Sequence, residues 1–243
     1  MSHHVVSREE WIAARKALLI KEKAWTRMRD GLSEERRALP WVKIEKDYIF
    51  EEEHGTVTLA DLFAGSTQLI IKHFMLGPGW QDPCIGCSFE CDHLDGIVVH
   101  LENHDVSFVA VSRAPYPEIA AIRHRMGWRF RWVSSFGSDF NYDFNVSFTS
   151  EQIASGQAVY NYRENATPME EMSGRSIFYR DDTGAIFHTY SSFARGGEII
   201  LAAYALLDMT PTGRNETDRG NLTDWVKLHD RYGSAGHVDA GGR

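Results

Sequence analysis

The sequence lacks any apolar run of the length that a membrane span needs, about 20 consecutive residues. Its first residues, MSHHVVSREEW, turn charged at once and contain no apolar stretch of the kind that marks a secretory signal. We therefore expect a cytoplasmic protein with no membrane partner.

Positive charge is also in short supply. The chain has 26 Lys and Arg against 34 Asp and Glu, which leaves a formal net charge of -8. A basic face that would attract phosphates is not expected, so the net charge argues against a nucleic-acid partner.

Cysteine is scarce and unevenly placed. The chain has three, Cys84, Cys87 and Cys91, all within the stretch PCIGCSFEC. With 243 residues, 43% of them hydrophobic, the chain can bury a core without disulfide staples. In a reducing compartment, clustered cysteines are more often catalytic or metal-binding than structural.

The pattern of apolar runs predicts an α/β protein. Ser7 followed by Glu10 forms a capping box that begins a helix reaching about Ala38. The elements expected after it are a hairpin at 48–59, buried strands at 68–76 and 105–113, a helix at 117–127, a strand in RFRWVSS, a hairpin at 176–193 and a final apolar helix at 196–209. In such a sheet the site lies beyond the carboxyl end of the first buried strand, where the cysteines follow.

The cysteines stand where a helix is expected to begin, directly after Pro83. There Cys84 meets unpaired backbone N–H groups and the positive end of the helix dipole, which stabilise a thiolate. Cys87 lies one turn later on the same face and can attack a mixed disulfide on Cys84. We expect Trp80 to form an apolar wall beside this pair.

Several longer stretches carry a family resemblance. QLIIKHFML followed by CIGC at a helix start looks like a thioredoxin fold. GPGWQDPCIGCSF, MGWRFRWVSSFGSDFNYDF and FYRDDTGAIFHTYSSFARG, with EKAWTRMRDGLSEERRALPWVKIEKDY and LLDMTPTGRNE, resemble an uncharacterised bacterial thioredoxin-like family. Its members, a domain of unknown function, are loosely described as predicted dithiol–disulfide isomerases. Cys84 and Cys87 match its motif.

The resemblance implies a thioredoxin-like fold, a central mixed β-sheet flanked by helices. We expect residues 1–45 to be a helical extension packing on the core, and residues 46–212 to be the thioredoxin-like domain with an aromatic insert around 134–170. Residues 213–243 form a C-terminal segment, whose last ten or so residues are expected to be disordered.

One departure concerns a proline. Exchangers of the thioredoxin type carry a cis-proline before the third core strand, facing the cysteines and keeping metals off the thiols. Here no proline lies between Pro168 and Pro211, so another residue near Arg175 or Ser176 takes that place. This departure weakens the assignment as a disulfide isomerase and favours metal binding as an alternative.

Three competing motifs fail on spacing. A peroxiredoxin pattern, P-x3-T-x2-C, would put Gln81 at the threonine when counted from Cys84. A zinc site would need His93 beside three cysteines on one helix, where four ligands do not converge tetrahedrally. An EF-hand loop beginning at Asp139 has Phe144 in place of the required glycine and Ser150 in place of the glutamate.

For four further features a structural role is weighed against a functional one. Arg113 follows the second buried strand and could stabilise a thiolate or a substrate carboxylate, although a surface role is the commoner one. His73 is interpreted as a hydrogen-bonded core histidine. The alternating aromatics of 140–148 predict an extended segment that packs in the core, or else covers the site or forms a homodimer contact. Cys91 is interpreted as a buried small side chain, with a second resolving thiol as the alternative.

These observations predict a thiol–disulfide oxidoreductase in which Cys84 is the nucleophile and Cys87 the resolving thiol. Trp80, Pro83 and Arg113 are the supporting residues, and no cofactor or metal is expected. The partner would be a protein or small-molecule thiol or disulfide. The alternative is a thioredoxin-fold redox sensor, or a metal- or ligand-binding protein without turnover, that uses the same thiols.

Overall fold

The structure is a computed structural model that describes residues 3–164, 169–216 and 225–233. The chain divides into two units, one ending at Trp41 and the other beginning at Val42. None of the helices in the described ranges combines the length and hydrophobicity needed to cross a membrane. The predicted disorder of the last residues concerns 234–243, which lie outside the described part.

The first unit is one long helix, α1 (Arg8–Arg37). Its start is the predicted capping box: Ser7 Oγ accepts from the Glu10 backbone N–H at 3.2 Å, and Glu10 Oε2 accepts from the Ser7 N–H at 2.9 Å. Acidic residues in the first turn and basic residues in the last complement the helix dipole, so local sequence accounts for both ends of this helix.

Among the described residues, the strands and the other helices belong to the second unit. The strands are β1 (Val42–Lys43), β2 (Ile49–Glu52), β3 (Gly55–Thr58), β4 (Gln68–His73), β5 (Val106–Ser112), β6 (Arg131–Ser134), β7 (Val159–Tyr160), β8 (Arg163–Glu164), β9 (Gly174–Arg180) and β10 (Ile186–Phe193). The helices are α2 (Ile85–Leu94), α3 (Val98–Glu102), α4 (Tyr116–Met126), α5 (Phe140–Asp143), α6 (Ser150–Ala154) and α7 (Ala202–Leu207), with 3-10 turns at Asp61–Phe63, Ala194–Ile200 and His229–Arg231.

Eight strands form one sheet in the order β1-β10-β9-β4-β5-β6-β2-β3. β4, β5 and β6 run parallel, joined by crossovers that contain α2 and α4, and β9 pairs antiparallel with β4 on its other side. Three parallel strands flanked by the antiparallel hairpin β9–β10 form a mixed sheet with helices, so the predicted α/β, thioredoxin-like fold is confirmed.

The two faces of the sheet bury separate cores. Leu69 and Ile71 of β4 pack into one cluster with Phe140 and Phe144, whereas Ile70 packs on the other face, where α2 lies. Because successive strand residues point to opposite faces, Lys72 follows Ile70 toward α2, and His73 points the other way. This alternation sets which polar side chain of β4 reaches the cysteine helix.

Two local predictions were wrong. The aromatic stretch 140–148 is not extended but begins with the helical turn α5, in which Phe140 and Phe144 lie one turn apart with ring centroids separated by 4.6 Å. Both rings are buried, so the core-packing interpretation is confirmed. The expected helix at 196–209 is a 3-10 turn followed by the short α7, because Leu201 interrupts it with a non-helical backbone.

Candidate active site

Cys84 is the N-cap residue of α2, as its position after Pro83 predicts. Its backbone is extended, with φ -55° and ψ 125°, and its Sγ accepts the Cys87 backbone N–H at 3.4 Å. The cysteine sulfur thus takes the place that a serine or aspartate oxygen has at an ordinary N-cap. It bonds one of the N–H groups that the first turn of a helix leaves unpaired.

This environment lowers the pKa of Cys84 to about 7. The largest cause is a hydrogen bond from the Cys87 thiol, and burial opposes it. The Cys87 backbone N–H, the positive charge of Lys72 and the Gly86 backbone N–H lower the pKa further. A thiol with this pKa is ionised to a large extent at neutral pH, and the thiolate is the nucleophilic form.

The other two cysteines are buried and protonated. Burial raises the pKa of the Cys87 thiol, and its hydrogen bond to Cys84 raises it further. Burial likewise raises the pKa of Cys91, which is fully enclosed in the core on the α2 face. Cys84 alone of the three is partly exposed, so an external substrate meets it first.

Beneath the cysteines lies a buried charge cluster of Lys72, Glu90 and Arg175. Lys72 Nζ donates to Glu90 Oε2 at 2.7 Å, and Arg175 Nε donates to Glu90 Oε1 at 2.7 Å. Arg175 Nη2 also donates to Glu90 Oε2. The exposed fractions of the three side chains are 0%, 6% and 13%.

Strand register explains why one carboxylate bonds both cations. Lys72 and Arg175 are directly opposite each other on β4 and β9. Like charges in that position repel, and Glu90, reaching down from α2, lies against both. Burial alone would lower the pKa of Lys72, but the facing Cys87 and Glu90 raise it above its usual value. The cluster therefore holds two positive charges and one negative charge.

A cavity of about 120 Å³ lies next to this cluster. Its walls come from α2, from the start of β9 and from the 3-10 turn Ala194–Ile200. The lining residues are Cys84, Gly86, Cys87, Phe89, Glu90, Ser173, Arg175, Ala194, Gly197, Glu198 and Leu201. The predicted thiol pair and two members of the charge cluster, Glu90 and Arg175, therefore line the same cavity.

The structure places Arg113 away from the thiols, which corrects the expectation. Its Nε donates to Glu171 Oε1 at 2.5 Å, and its guanidinium also bonds and stacks on Tyr142. Glu171 in turn accepts from Ser147 Oγ at 2.7 Å. Arg113 therefore ties the end of β5 to the segment around 142–171 and does not line the cavity.

The two other supporting residues are Trp80 and Pro83. The Trp80 ring lies against Gly77, where an added Cβ would come within 2.8 Å of its Nε1, and belongs to the core cluster that includes Cys84 and Cys87. Trp80 does not line the cavity. Pro83 is buried immediately before the N-cap.

Arg175, at the position expected for the missing proline, and the nearby Ser173 line the same cavity as Cys84. The described residues contain no cis peptide bond.

His73 is the core histidine expected: it is fully buried, its Nε2 lies 2.8 Å from Ser176 Oγ, and burial lowers its pKa to about 3.

Lys72 and Glu90 were missed by sequence reasoning. A signal was available for Lys72, since a lysine inside the apolar run QLIIKHFML must be paired if the strand is central. Glu90 lies one turn after Cys87 on a helix that is buried on nearly every side, which equally demands a partner. In the described part of the chain, no three His, Cys, Asp or Glu side chains converge as metal ligands do.

The model of a protein family described as a bacterial protein of unknown function, DUF899, matches residues 1–232. The chain belongs to this family. No curated protein matches the sequence. The family assignment agrees with the resemblance inferred from the motifs around Cys84 and Cys87.

Solved structures similar to this chain include thioredoxin-like proteins at low identity. Peroxidoxin BcpB from Mycobacterium tuberculosis is 14% identical with a TM-score of 0.45, covering 68% of this chain and 94% of its own. Peroxiredoxin Q from Xanthomonas campestris is 16% identical with a TM-score of 0.43, and the match covers 64% of this chain and 87% of that one. A thiol:disulfide interchange protein from Bacteroides sp. is 12% identical with a TM-score of 0.38, and the match covers 73% of this chain and 96% of that one.

Proposed function

We propose that this protein is a thiol–disulfide oxidoreductase in which Cys84 is the nucleophile and Cys87 the resolving thiol. The observation that carries the proposal is the contrast between the two. Cys84 is partly exposed on a cavity and its pKa is lowered to about 7, while the adjacent Cys87 is buried and the pKa of its thiol is raised.

The reaction has two exchange steps. The Cys84 thiolate attacks one sulfur of a disulfide RS–SR′, forming a Cys84–SR bond and releasing R′S⁻. Cys87 then attacks Cys84 Sγ, its proton passes to the departing RS⁻, and a Cys84–Cys87 disulfide forms. The substrate gains two electrons and the dithiol loses two, so an external thiol reductant returns the protein to its starting state.

The structure supports this order of attack. In the reduced state the Cys87 backbone N–H donates to Cys84 Sγ at 3.4 Å, and the Cys87 thiol is the largest cause of the lowered Cys84 pKa, so the two side chains interact before any substrate binds. Attack by Cys87 becomes favourable only once Cys84 is in a mixed disulfide, because the Cys84 negative charge that raises the Cys87 pKa is then gone.

We place the reaction in the cytoplasm. There a reducing thiol pool keeps clustered cysteines in the dithiol form and could act as the reductant. The dithiol is the form that the mechanism needs at its start.

The test uses mass spectrometry to identify which cysteines form a disulfide. Reduced protein is mixed with a neutral disulfide, hydroxyethyl disulfide, quenched with acid and mapped. We expect the mass of two hydrogens to be lost and the new disulfide to join Cys84 and Cys87. Cys87→Ser should accumulate a mixed disulfide on Cys84, and Cys84→Ser should not react at a comparable rate.

Cys91→Ser is the matched control, because it removes a buried thiol from the same helix and should still form the Cys84–Cys87 bond. A disulfide that maps to Cys91, or undiminished turnover in Cys84→Ser with dithiothreitol as reductant, would refute the proposal. Stoichiometric metal on the purified protein, removed only by a chelator, would favour a binding protein instead.

A further inference from the structure

The Arg175 guanidinium has one nitrogen with no partner. Nε and Nη2 donate to Glu90, whereas Nη1 is buried and has no acceptor among the described residues. A buried donor left unpaired costs free energy, and a hydrogen bond from a guanidinium nitrogen to a carboxylate is charge-assisted and therefore strong. This nitrogen belongs to a residue that lines the cavity together with Cys84.

The position of the guanidinium is enforced by Gly197. A Cβ on Gly197 would come within 1.8 to 2.1 Å of three guanidinium atoms, so the planar group lies directly on the glycine backbone. Glu90 fixes its other edge. Because both sides are constrained, the free N–H is preorganised and does not have to give up rotational freedom when it binds a ligand.

Charge at the cavity favours an anion. The Lys72–Glu90–Arg175 cluster holds one positive charge in excess. The second carboxylate at the cavity, Glu198, is already paired with Arg195 and Arg214 and is not available to Arg175. Lys72 stabilises the Cys84 thiolate in the free protein. Once Cys84 enters a mixed disulfide that negative charge is gone, and the excess positive charge of the cluster is left for an anionic group of the substrate to neutralise.

The rest of the wall is small or apolar, with Phe89, Leu201, Gly86 and Ala194 around Ser173. The volume is less than pockets for drug-sized ligands usually have. It has room for one short arm of a small molecule and not for a folded chain.

We propose that Arg175 is a specificity-determining residue that binds a carboxylate of the substrate, and that the substrate is a low-molecular-weight disulfide with a carboxylate a few bonds from its sulfur. The inference rests on the proposed function. The carboxylate bonds Arg175 Nη1, and this holds the disulfide sulfur against Cys84 for the exchange described above.

The test compares three disulfides of similar length: dithiodipropionic acid, its neutral bis-amide, and the cationic cystamine. Single-turnover rate constants for formation of the Cys84–Cys87 disulfide are divided by the rates of the same compounds with free mercaptoethanol. We expect the wild-type protein to prefer the diacid over the bis-amide by about tenfold or more, the factor that a charge-assisted hydrogen bond supplies, and to react most slowly with cystamine.

Two variants distinguish a hydrogen bond from Arg175 Nη1 from a general effect of positive charge near the cavity. Arg175→Lys keeps the charge but loses the planar N–H, and it should lose most of the preference for the diacid. Arg195→Gln removes a charge close to the cavity without touching Nη1, and it should retain the preference. A preference that persists in Arg175→Lys, or that falls equally in Arg195→Gln, would overturn the inference.

A competition experiment needs no variant. Propionate should slow oxidation of the wild-type protein by the bis-amide, because it occupies the same nitrogen. Equal normalised rates for the three disulfides and no effect of propionate would overturn the inference and leave the proposed function standing. If none of the three oxidises the cysteine pair, the proposed function itself fails.

Discussion

The hydrogen bond from the Cys87 thiol to Cys84 is open to a direct test. It is the largest cause of the Cys84 pKa near 7, so Cys87→Ala should raise that pKa toward the ~8.5 of a free thiol. Cys87→Ser keeps a hydroxyl donor at the same place and should leave the pKa low. Both variants stop at the mixed disulfide, so each reports the first attack alone.

The expected size of the effect depends on two opposing factors. At pH 7 a pKa of about 7 gives roughly half thiolate, whereas a pKa of ~8.5 gives about 3%, a ratio of about 16. A less basic thiolate is also a weaker nucleophile, and a Brønsted coefficient of ~0.45 over ~1.5 pKa units reduces its rate about fivefold. The net advantage of the low pKa is therefore about threefold at pH 7.

The sign of the advantage changes with pH. Near pH 6 the serine variant should react about sixfold faster than the alanine variant, because the thiolate fraction decides the rate. Above pH 9 both are ionised, and the alanine variant should be about fourfold faster. The two profiles should cross near pH 8.

The assay is the rate of loss of the free Cys84 thiol with hydroxyethyl disulfide, measured by quench and mass spectrometry, with thiolate absorbance as an independent titration. Superimposable profiles for the two variants would refute the reasoning, because the hydrogen bond would then contribute nothing to the pKa. Profiles that differ by a constant factor at every pH would point to access rather than ionisation.

Three further perturbations address the groups around the pair. Glu90→Gln leaves two buried cations without a carboxylate and should lower the free energy of unfolding by about 3 to 5 kcal/mol; a loss under ~1 kcal/mol in urea would count against the cluster. Burial lowers the pKa of His73 to about 3, so below pH ~6.5 the unfolded chain binds a proton that the folded chain does not. Stability should therefore fall by about 1.4 kcal/mol per pH unit on acidification, and His73→Phe should lose this slope. Gly197→Ala displaces the Arg175 guanidinium and should cost about 1 to 3 kcal/mol. Gly31→Ala in α1 is the control: an added Cβ meets nothing there beyond the helix's own backbone, and alanine is the better helix former, so this variant should not lower stability in thermal unfolding.

Sequence reasoning worked best where neighbours along the chain decide the structure. The capping box at Ser7 and the start of α2 at Cys84 follow from side chains that bond backbone groups three residues away. The hairpin 48–59 follows from a turn at Gly55, where φ is 126°. The aromatic stretch failed because its alternation fits a strand, while contacts made by Phe140 and Phe144 with the sheet favour a helical turn. Tertiary packing overrode a local pattern there.

The position of Cys84 at a helix start, with Cys87 one turn later, was determined by the sequence alone, since proline and helix geometry require only local information. The charged side chains that surround Cys84 and Cys87 were decided only by the tertiary fold. Lys72, Glu90 and Arg175 are far apart along the chain and converge because β4 and β9 are paired in one register and α2 packs across them. The place of Arg113 after β5 made it an equally good candidate for the site, but its guanidinium bonds Glu171 instead. Electrostatic effects depend on distance in space, and that distance is a property of the tertiary structure.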